Sequence, residues 1–462
     1  MSVRHVDVAI LGAGTAGLTA RRAAKAEGAS VLLIDPGPFG TTCARVGCMP
    51  SKLLIAAAHA AHAVEGASRF GVHTEGATVD GKAVLARVQA ERDRFVGFVV
   101  DGVEAAKEAG ELIVGRGVVT APGVLTVGET EVHYRSLVVA TGTAPFVPPP
   151  FRDLGDRLLT NEHIFELEDL PESLLVIGLG VIGLELGQAM HRLGVRTTLL
   201  GVGGSVGPLS DPVVRDSAAA VLGAELDLHP DYTLEAIERT EEGVRIRFVD
   251  SAGVSRDEVY ERVLIAAGRR STLPRLGLDA LGLDGDYPVD PETLQLADLP
   301  VFVAGDVNGL HPLLHEAADD GRSAGRNAAR FPEVEAAKRR TPLGIVFSDP
   351  QIGVIGRNWA SRSDVAVGQV DYGDQGRARV EGINAGIARI YGDPETGELL
   401  GAELFGPRVE HLSHLLAWAV QQRLTVWDAL DMPFYHPVVE EGIRTALRDL
   451  ARSVETAGKV AA

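Results

Sequence analysis

Two cysteines among 462 residues are too few for the disulfide scaffold of a small secreted protein. Long apolar runs are also missing. A bilayer span takes about 18 such residues, and the longest candidate, 174–184, stops at Glu185. Positive charge is in deficit: 44 Lys and Arg against 63 Asp and Glu leave a net charge of −19. That balance repels nucleic-acid phosphates and anionic membrane surfaces, so neither is an expected partner. No segment is of low complexity. The opening MSVRHVDVAILGAG carries Asp7 and glycines inside its apolar stretch, so it reads as a first strand rather than a signal peptide. The cytoplasm is then the expected compartment, where a disulfide is more often catalytic than structural.

Glycine is plentiful, with 54 residues, and 45% of the chain is hydrophobic against 23% charged. Length allows about three domains of ~150 residues. A partial repeat stands out. Residues 6–35 and 174–201 each read as a short apolar strand, a glycine turn, an Ala/Leu-rich helix, a Gly and a β-branched strand. A βαβ unit written twice predicts an α/β fold with two parallel, helix-covered sheets. The prolines of 145–150 and the end of the RVLIAAG strand at Gly268 mark boundaries. A strand at 301–306 leads into a helical stretch at 313–329, and the chain leaves this core around 331–342. The last ~120 residues read as an α+β module with a helix near 410–422 and a final helix from about 438.

The first glycine turn, GAGTAG, holds Gly12, Gly14 and Gly17. They permit a tight turn, close approach of backbone to a pyrophosphate, and close packing of helix on strand. The helix start offers N–H groups and a positive dipole end to phosphates. Asp35, 23 positions after Gly12 and at the end of the next strand, is placed to accept hydrogen bonds from a ribose. The second turn holds Gly178, Gly180 and Gly183, but the position matching Asp35 is Gly201, and GVGGSV contains no Arg for a 2′-phosphate. Two dinucleotide sites suggest a flavin and a nicotinamide. Thr141 and Gly142 in ATGTAP, and Gly305 and Asp306 in AGDV, end strands and fit a flavin site, Asp306 facing its ribityl hydroxyls.

The only cysteines, Cys43 and Cys48, stand five apart in TTCARVGCMPSK. Their closeness favours a joint purpose. In a regular helix that spacing is about 7.5 Å of rise, whereas a disulfide wants Cα atoms roughly 4.4–6.8 Å apart. A bridge therefore needs an irregular turn, which Gly47 permits. Arg45 and Lys52 are candidate cations for a thiolate.

The motifs in this order resemble the class I pyridine nucleotide-disulfide oxidoreductases, with the dihydrolipoamide (dihydrolipoyl) dehydrogenase branch nearest. The order runs from the first fingerprint through C-x4-C-x-P-S-K, ATG, the second fingerprint, GRR at 268–270 and AGD to H-P-x-x-x-E, and so covers the whole chain. The resemblance implies two Rossmann-like dinucleotide-binding domains, for FAD and NAD(P), plus a C-terminal α+β dimerisation domain. On it the chain divides into an FAD-binding domain at 1–147, an NAD(P)-binding domain at 148–270, a central domain at 271–340 and an interface domain at 341–462. FAD and NAD are the implied cofactors, with NADP not excluded, and the implied state is a homodimer in which each active site borrows from the partner.

By the same resemblance Cys48 faces the flavin as charge-transfer thiolate and Cys43 meets the substrate. Lys52 lies near the flavin N5 with Glu185 as its partner. Leu314 and His315 pass the flavin edge, and Gly268 and Arg269 join the cofactor-binding set. His436, supported by Glu441, is the base for a thiol proton. Read locally, Pro437 suits a first helical position, which puts His436 at the cap and Glu441 near the dipole. The implied reaction converts dihydrolipoamide and NAD+ to lipoamide and NADH, the substrate being a small dithiol or a lipoyl-bearing protein. Alternatives are an NAD(P)H-dependent reductase of another small disulfide and a non-catalytic flavoprotein redox sensor. Ser51 is the lipoamide-like choice. Thr41, Arg45, Val438 and Gly201 depart from the family pattern.

Overall fold

The computed structural model describes residues 2–283, 285–361 and 364–461. They form two compact units, one of residues 1–50, 87–146 and 269–339, the other of 51–86, 147–268 and 340–462.

In the first unit, Val8–Leu11 and Val31–Ile34 are buried without alternation, as strands covered on both faces must be. The strands Leu112–Val114, Val31–Asp35, Ser2–Leu11 and Thr130–Val139 lie side by side, all parallel. The far edge of Thr130–Val139 is shared. Its first half pairs antiparallel with Val124–Val127, and its last three residues pair parallel with Val301–Val303. The helix Thr15–Ala26 buries Ala16, Gly17, Ala20 and Ala24. It packs on the helix Leu314–Arg330 so closely that a Cβ on Gly321 would stand 2.2 Å from the Ala16 carbonyl oxygen, and one on Gly325 would stand 2.3 Å from that of Ala20.

The second unit repeats the pattern. Asp227–His229, Arg196–Leu200, Ser173–Ile177, Arg262–Ile265 and Leu158–Leu159 form a parallel sheet. An antiparallel three-stranded sheet, Thr233–Arg239, Val244–Val249 and Ser255–Tyr260, shares its core through Val244, Ile246 and Phe248. The C-terminal part of this unit is a five-stranded antiparallel sheet in the order Leu343–Val346, Gln351–Gly356, Leu399–Gly406, Ile387–Gly392, Ala366–Asp371. Its core takes Leu412 and Leu416 from the helix Val409–Gln421 and Ile443, Leu447 and Leu450 from the helix Glu441–Ala461. The protein is thus α/β, with two Rossmann-like folds and a C-terminal α+β region. The final helix begins at Glu441 rather than near 438. Among the described residues no helix is long and apolar enough to cross a membrane.

Candidate active site

The cysteine segment follows the strand Val31–Asp35. Thr41 caps a short helix, Thr42–Val46, its hydroxyl accepting the Ala44 N–H at 3.2 Å. Gly47 breaks the helix at φ −135°, ψ −118°, and a new helix starts at Cys48. A Cβ on Gly47 would stand 3.0 Å from the Thr42 carbonyl oxygen and 3.3 Å from the Cys43 Cα. The irregularity required by the five-residue spacing therefore falls between the two cysteines, with Cys43 half-buried and Cys48 exposed. The Arg45 guanidinium donates to the Pro38 carbonyl at 3.3 Å. Thr41 holds φ 62°, ψ 152°, a region almost reserved for glycine, at a position where the resembled family carries Gly.

In the same unit a tight glycine turn is built without side chains. A Cβ on Gly12 (φ 104°) would stand 2.3 Å from the Ala140 carbonyl oxygen, and one on Gly17 would stand 1.9 Å from that of Gly12. At Gly14 a Cβ would meet nothing within 4 Å, and this residue caps its helix with no side-chain hydrogen bond. The first-turn amides thus have no side-chain cap, an arrangement suited to phosphate oxygens. Asp35 accepts the Ala13 N–H through Oδ2 and the Gly37 N–H through Oδ1, both at 2.7 Å.

The Thr141 and Thr272 hydroxyls lie 2.7 Å apart, and Thr272 donates to the Gly142 carbonyl at 3.0 Å. Gly305 takes φ 77° and is followed by Asp306, whose carboxyl burial pushes above the usual range while the Arg269 guanidinium pulls it down. Arg269 is fixed by bonds to the Thr143 hydroxyl (2.8 Å) and carbonyl (2.7 Å). Leu314 and His315 are exposed in the first turn of their helix, His315 Nε2 lying 3.9 Å from Glu316. Open space at Gly14, a strand-end carboxylate and a half-buried carboxyl beside an arginine fit a dinucleotide flavin. Sequence reasoning missed Asp320. Buried in the helix, it holds the AGD turn by accepting from Gly305 N (3.2 Å) and Asn308 Nδ2 (2.7 Å), and it is held in turn by Arg339 at 3.0 Å.

The second unit brings Lys52 and Glu185 together, with Nζ 2.8 and 2.7 Å from the two carboxylate oxygens. Glu185 is 3% exposed. It also accepts the Phe347 N–H at 3.0 Å, and the Phe347 ring lies 4.4 Å from Lys52 Nζ. A buried carboxylate with a cation and an amide fixes the ammonium in one place. Phe347 carried no motif that would have singled it out. The second glycine turn copies the first. A Cβ on Gly178 (φ 111°) would lie 2.4 Å from the Ala266 carbonyl oxygen, one on Gly183 would lie 1.8 Å from that of Gly178, and Gly180 faces open space. Gly268 (φ 99°) ends this part of the unit.

His436 Nδ1 lies 3.0 Å from Glu441 Oε2, and the imidazole is 81% exposed. Glu441 is the first residue of its helix, so the local reading of Pro437 as a first helical residue is corrected. Val439 and Glu440 form a tighter turn, their carbonyls accepting from Gly442 and Ile443, and this turn delays the helix. Partial burial pushes the Glu441 carboxyl up. The Val438 N–H, the His436 ring and the Arg444 guanidinium (2.7 Å) outweigh it and hold the carboxyl below its usual range.

Residues 6–321 match the family model of the pyridine nucleotide-disulphide oxidoreductases, and residues 343–447 match the dimerisation domain of the same family. The chain belongs to that family. It is similar to dihydrolipoyl dehydrogenase of Halobacterium salinarum, with 30% identity over 97% of both chains. It is also similar to that of Chlamydia muridarum, with 28% identity over 94% of both. Among solved structures, LpdA from Mycobacterium tuberculosis is 25% identical with a TM-score of 0.80, covering 97% of this chain and 100% of the other. The disulfide reductase RclA from Escherichia coli, at 22% identity and TM-score 0.79 over 96% and 99%, shares the fold. The protein is accordingly a dihydrolipoyl dehydrogenase-like flavin disulfide oxidoreductase whose cofactors are FAD and NAD(H).

Proposed function

We propose that the protein oxidises a dihydrolipoyl group to lipoyl, free or protein-borne, and reduces NAD+ to NADH. The observation that carries this reading is the His436–Glu441 pair at 3.0 Å, an exposed imidazole backed by a carboxylate held anionic. A thiol substrate needs such a base, and the Glu441 carboxylate orients it. His436 takes the proton of one substrate thiol, and the resulting thiolate attacks Cys43 of the Cys43–Cys48 disulfide. The second substrate thiol then closes the lipoyl ring, leaving Cys43 and Cys48 reduced. Reduced Cys48 would pass the electron pair on, and FAD would supply the two-electron chemistry that links it to NAD+. Lys52, pinned by Glu185, would supply a fixed positive charge to the flavin.

The match of residues 343–447 to a dimerisation domain supports a homodimer in which His436 serves the partner's Cys43. The division at 1–147, 148–270, 271–340 and 341–462 is proposed with it, as is a cytoplasmic location. Ser51 and the dihydrolipoyl dehydrogenase relatives support lipoyl over other disulfides.

Steady-state assays with dihydrolipoamide and with reduced glutathione test the substrate. Dihydrolipoamide is expected to drive NAD+ reduction, and His436→Gln to slow it by about 10²–10⁴-fold. Anaerobic two-electron reduction is expected to raise a long-wavelength absorbance that Cys48→Ser lacks. Turnover of another small disulfide with none of lipoamide overturns the substrate. An unchanged band in Cys48→Ser overturns the cysteine roles.

A further inference from the structure

In the second nucleotide fold the position of the ribose-binding acid is Gly201, where a side chain would crowd its neighbours. A Cβ would stand 2.8 Å from Leu179 Cδ1 and 3.0 Å from the Pro230 carbonyl oxygen. An acid is nevertheless present one strand over. Past the strand end Gly201 N–H donates to the His229 carbonyl (2.8 Å) and Gly204 N–H to that of Pro230 (3.1 Å). The two loops therefore run on together. Between these two bonds, Gly203 N–H donates to Asp231 Oδ1 at 3.1 Å.

The first fold shows what that bond means. Asp35 Oδ1 accepts the N–H of Gly37, two residues past the strand end, and Gly37 has φ 73°. Gly203 is two residues past Gly201 and has φ 67°. The same amide, in the same left-handed turn, thus grips a carboxylate in both folds. In the first the carboxylate belongs to the strand itself, and in the second it comes from the loop just past the neighbouring Asp227–His229 strand.

We propose that Asp231 is the coenzyme-selecting residue of this protein, accepting the adenosine ribose hydroxyls of NAD(H) in place of the missing acid and repelling a 2′-phosphate. Its Oδ1 is taken by Gly203 and Tyr232 N–H (3.2 Å), while Oδ2 has no hydrogen-bond partner among the described residues and the side chain is exposed. No basic residue stands in 201–211 or 230–235 to receive a phosphate. A carboxylate at that spot favours the diol and disfavours a dianion.

The inference rests on the second fold being the NAD(H) site. The test is calorimetric titration of the FAD-loaded protein with ADP-ribose and with 2′-phospho-ADP-ribose. Wild type is expected to bind ADP-ribose at least tenfold more tightly than its phosphate. Asp231→Asn keeps an oxygen for Gly203 but loses the second acceptor, and is expected to weaken ADP-ribose binding about tenfold. Asp231→Ala is expected to do the same and to narrow the gap between the two ligands. If wild type binds ADP-ribose and both variants bind it equally well, Asp231 is not the selecting residue. If wild type binds neither ligand, the second fold is not the nucleotide site and the reading beneath the inference falls.

Discussion

The two nucleotide folds of this chain use almost the same numbers where backbone meets backbone. A Cβ would lie 2.3 Å from Ala140 O at Gly12 and 2.4 Å from Ala266 O at Gly178, and 1.9 and 1.8 Å from the turn's own carbonyl at Gly17 and Gly183. At the end of the second strand they differ. The first fold ends its second strand on Asp35, bonded at 2.7 Å to amides on both sides. In the second, the matching position just past the strand is Gly201, where a Cβ would press on Leu179. Close packing of turn, strand and helix leaves no room for substitution, because a methyl would displace main chain on which the whole sheet depends. Recognition of the ribose needs only a carboxylate at one point, and any strand end that reaches that point can supply it.

Three experiments bear on this contrast. The largest effect is expected from Gly12→Val and Gly178→Val, which place a branched side chain at positive φ against a carbonyl. Gly12→Val is expected to yield protein without bound flavin, measured by the 450 nm absorbance of the purified chain. Gly178→Val is expected to keep flavin and lose ADP-ribose binding, and loss of flavin in both would show that the two cradles are not separable.

A smaller effect is expected from Gly201→Asp. Restoring the customary acid would overpack Leu179 and cost about 1–3 kcal/mol in thermal unfolding, with no gain in NADH affinity. The added change Leu179→Ala is expected to recover part of that loss. A Gly201→Asp protein as stable as wild type would mean that the position is open after all.

The smallest effect belongs to Asp306. Burial raises its folded pKa above the ordinary value of 3.8, so the folded state holds the proton more tightly than the unfolded chain. Stability is therefore lost as pH rises from the unfolded pKa through the folded one. Asp306→Asn in the flavin-free protein is expected to raise Tm on the order of 1–2 °C at neutral pH. That gain should vanish below about pH 4, and FAD binding should weaken. A pH-independent difference would remove the titration of Asp306 as its cause.

Legibility from sequence followed the same division. Glycine turns repeat at fixed spacing beside apolar strands, so both βαβ units and their cradles could be read directly. The Lys52–Glu185 and His436–Glu441 pairs were named through family resemblance, and the side chains do meet. The Phe347 amide on Glu185, Asp320 under Gly305 and Asp231 under Gly203 were not legible. Each is a side chain bonded to a distant or irregular backbone N–H, and such a bond leaves no periodicity. The helix start at Glu441 was misplaced for a related reason. Pro437 fits a first helical turn locally, but the turn at 439–440 is set by carbonyls whose direction no propensity encodes.

The helix behind the first fingerprint leans on one that the ribosome makes far later. Thr15–Ala26 is closed by Gly321 and Gly325, and its sheet is completed by Val301–Val303. At ~5–20 residues per second, roughly 15–60 s of synthesis separate the two halves of that cradle. The first fold to be translated is therefore among the last to close: its early strands can pair with one another, but the last three residues of Thr130–Val139 and the outer side of Thr15–Ala26 must wait while the second fold is made in between.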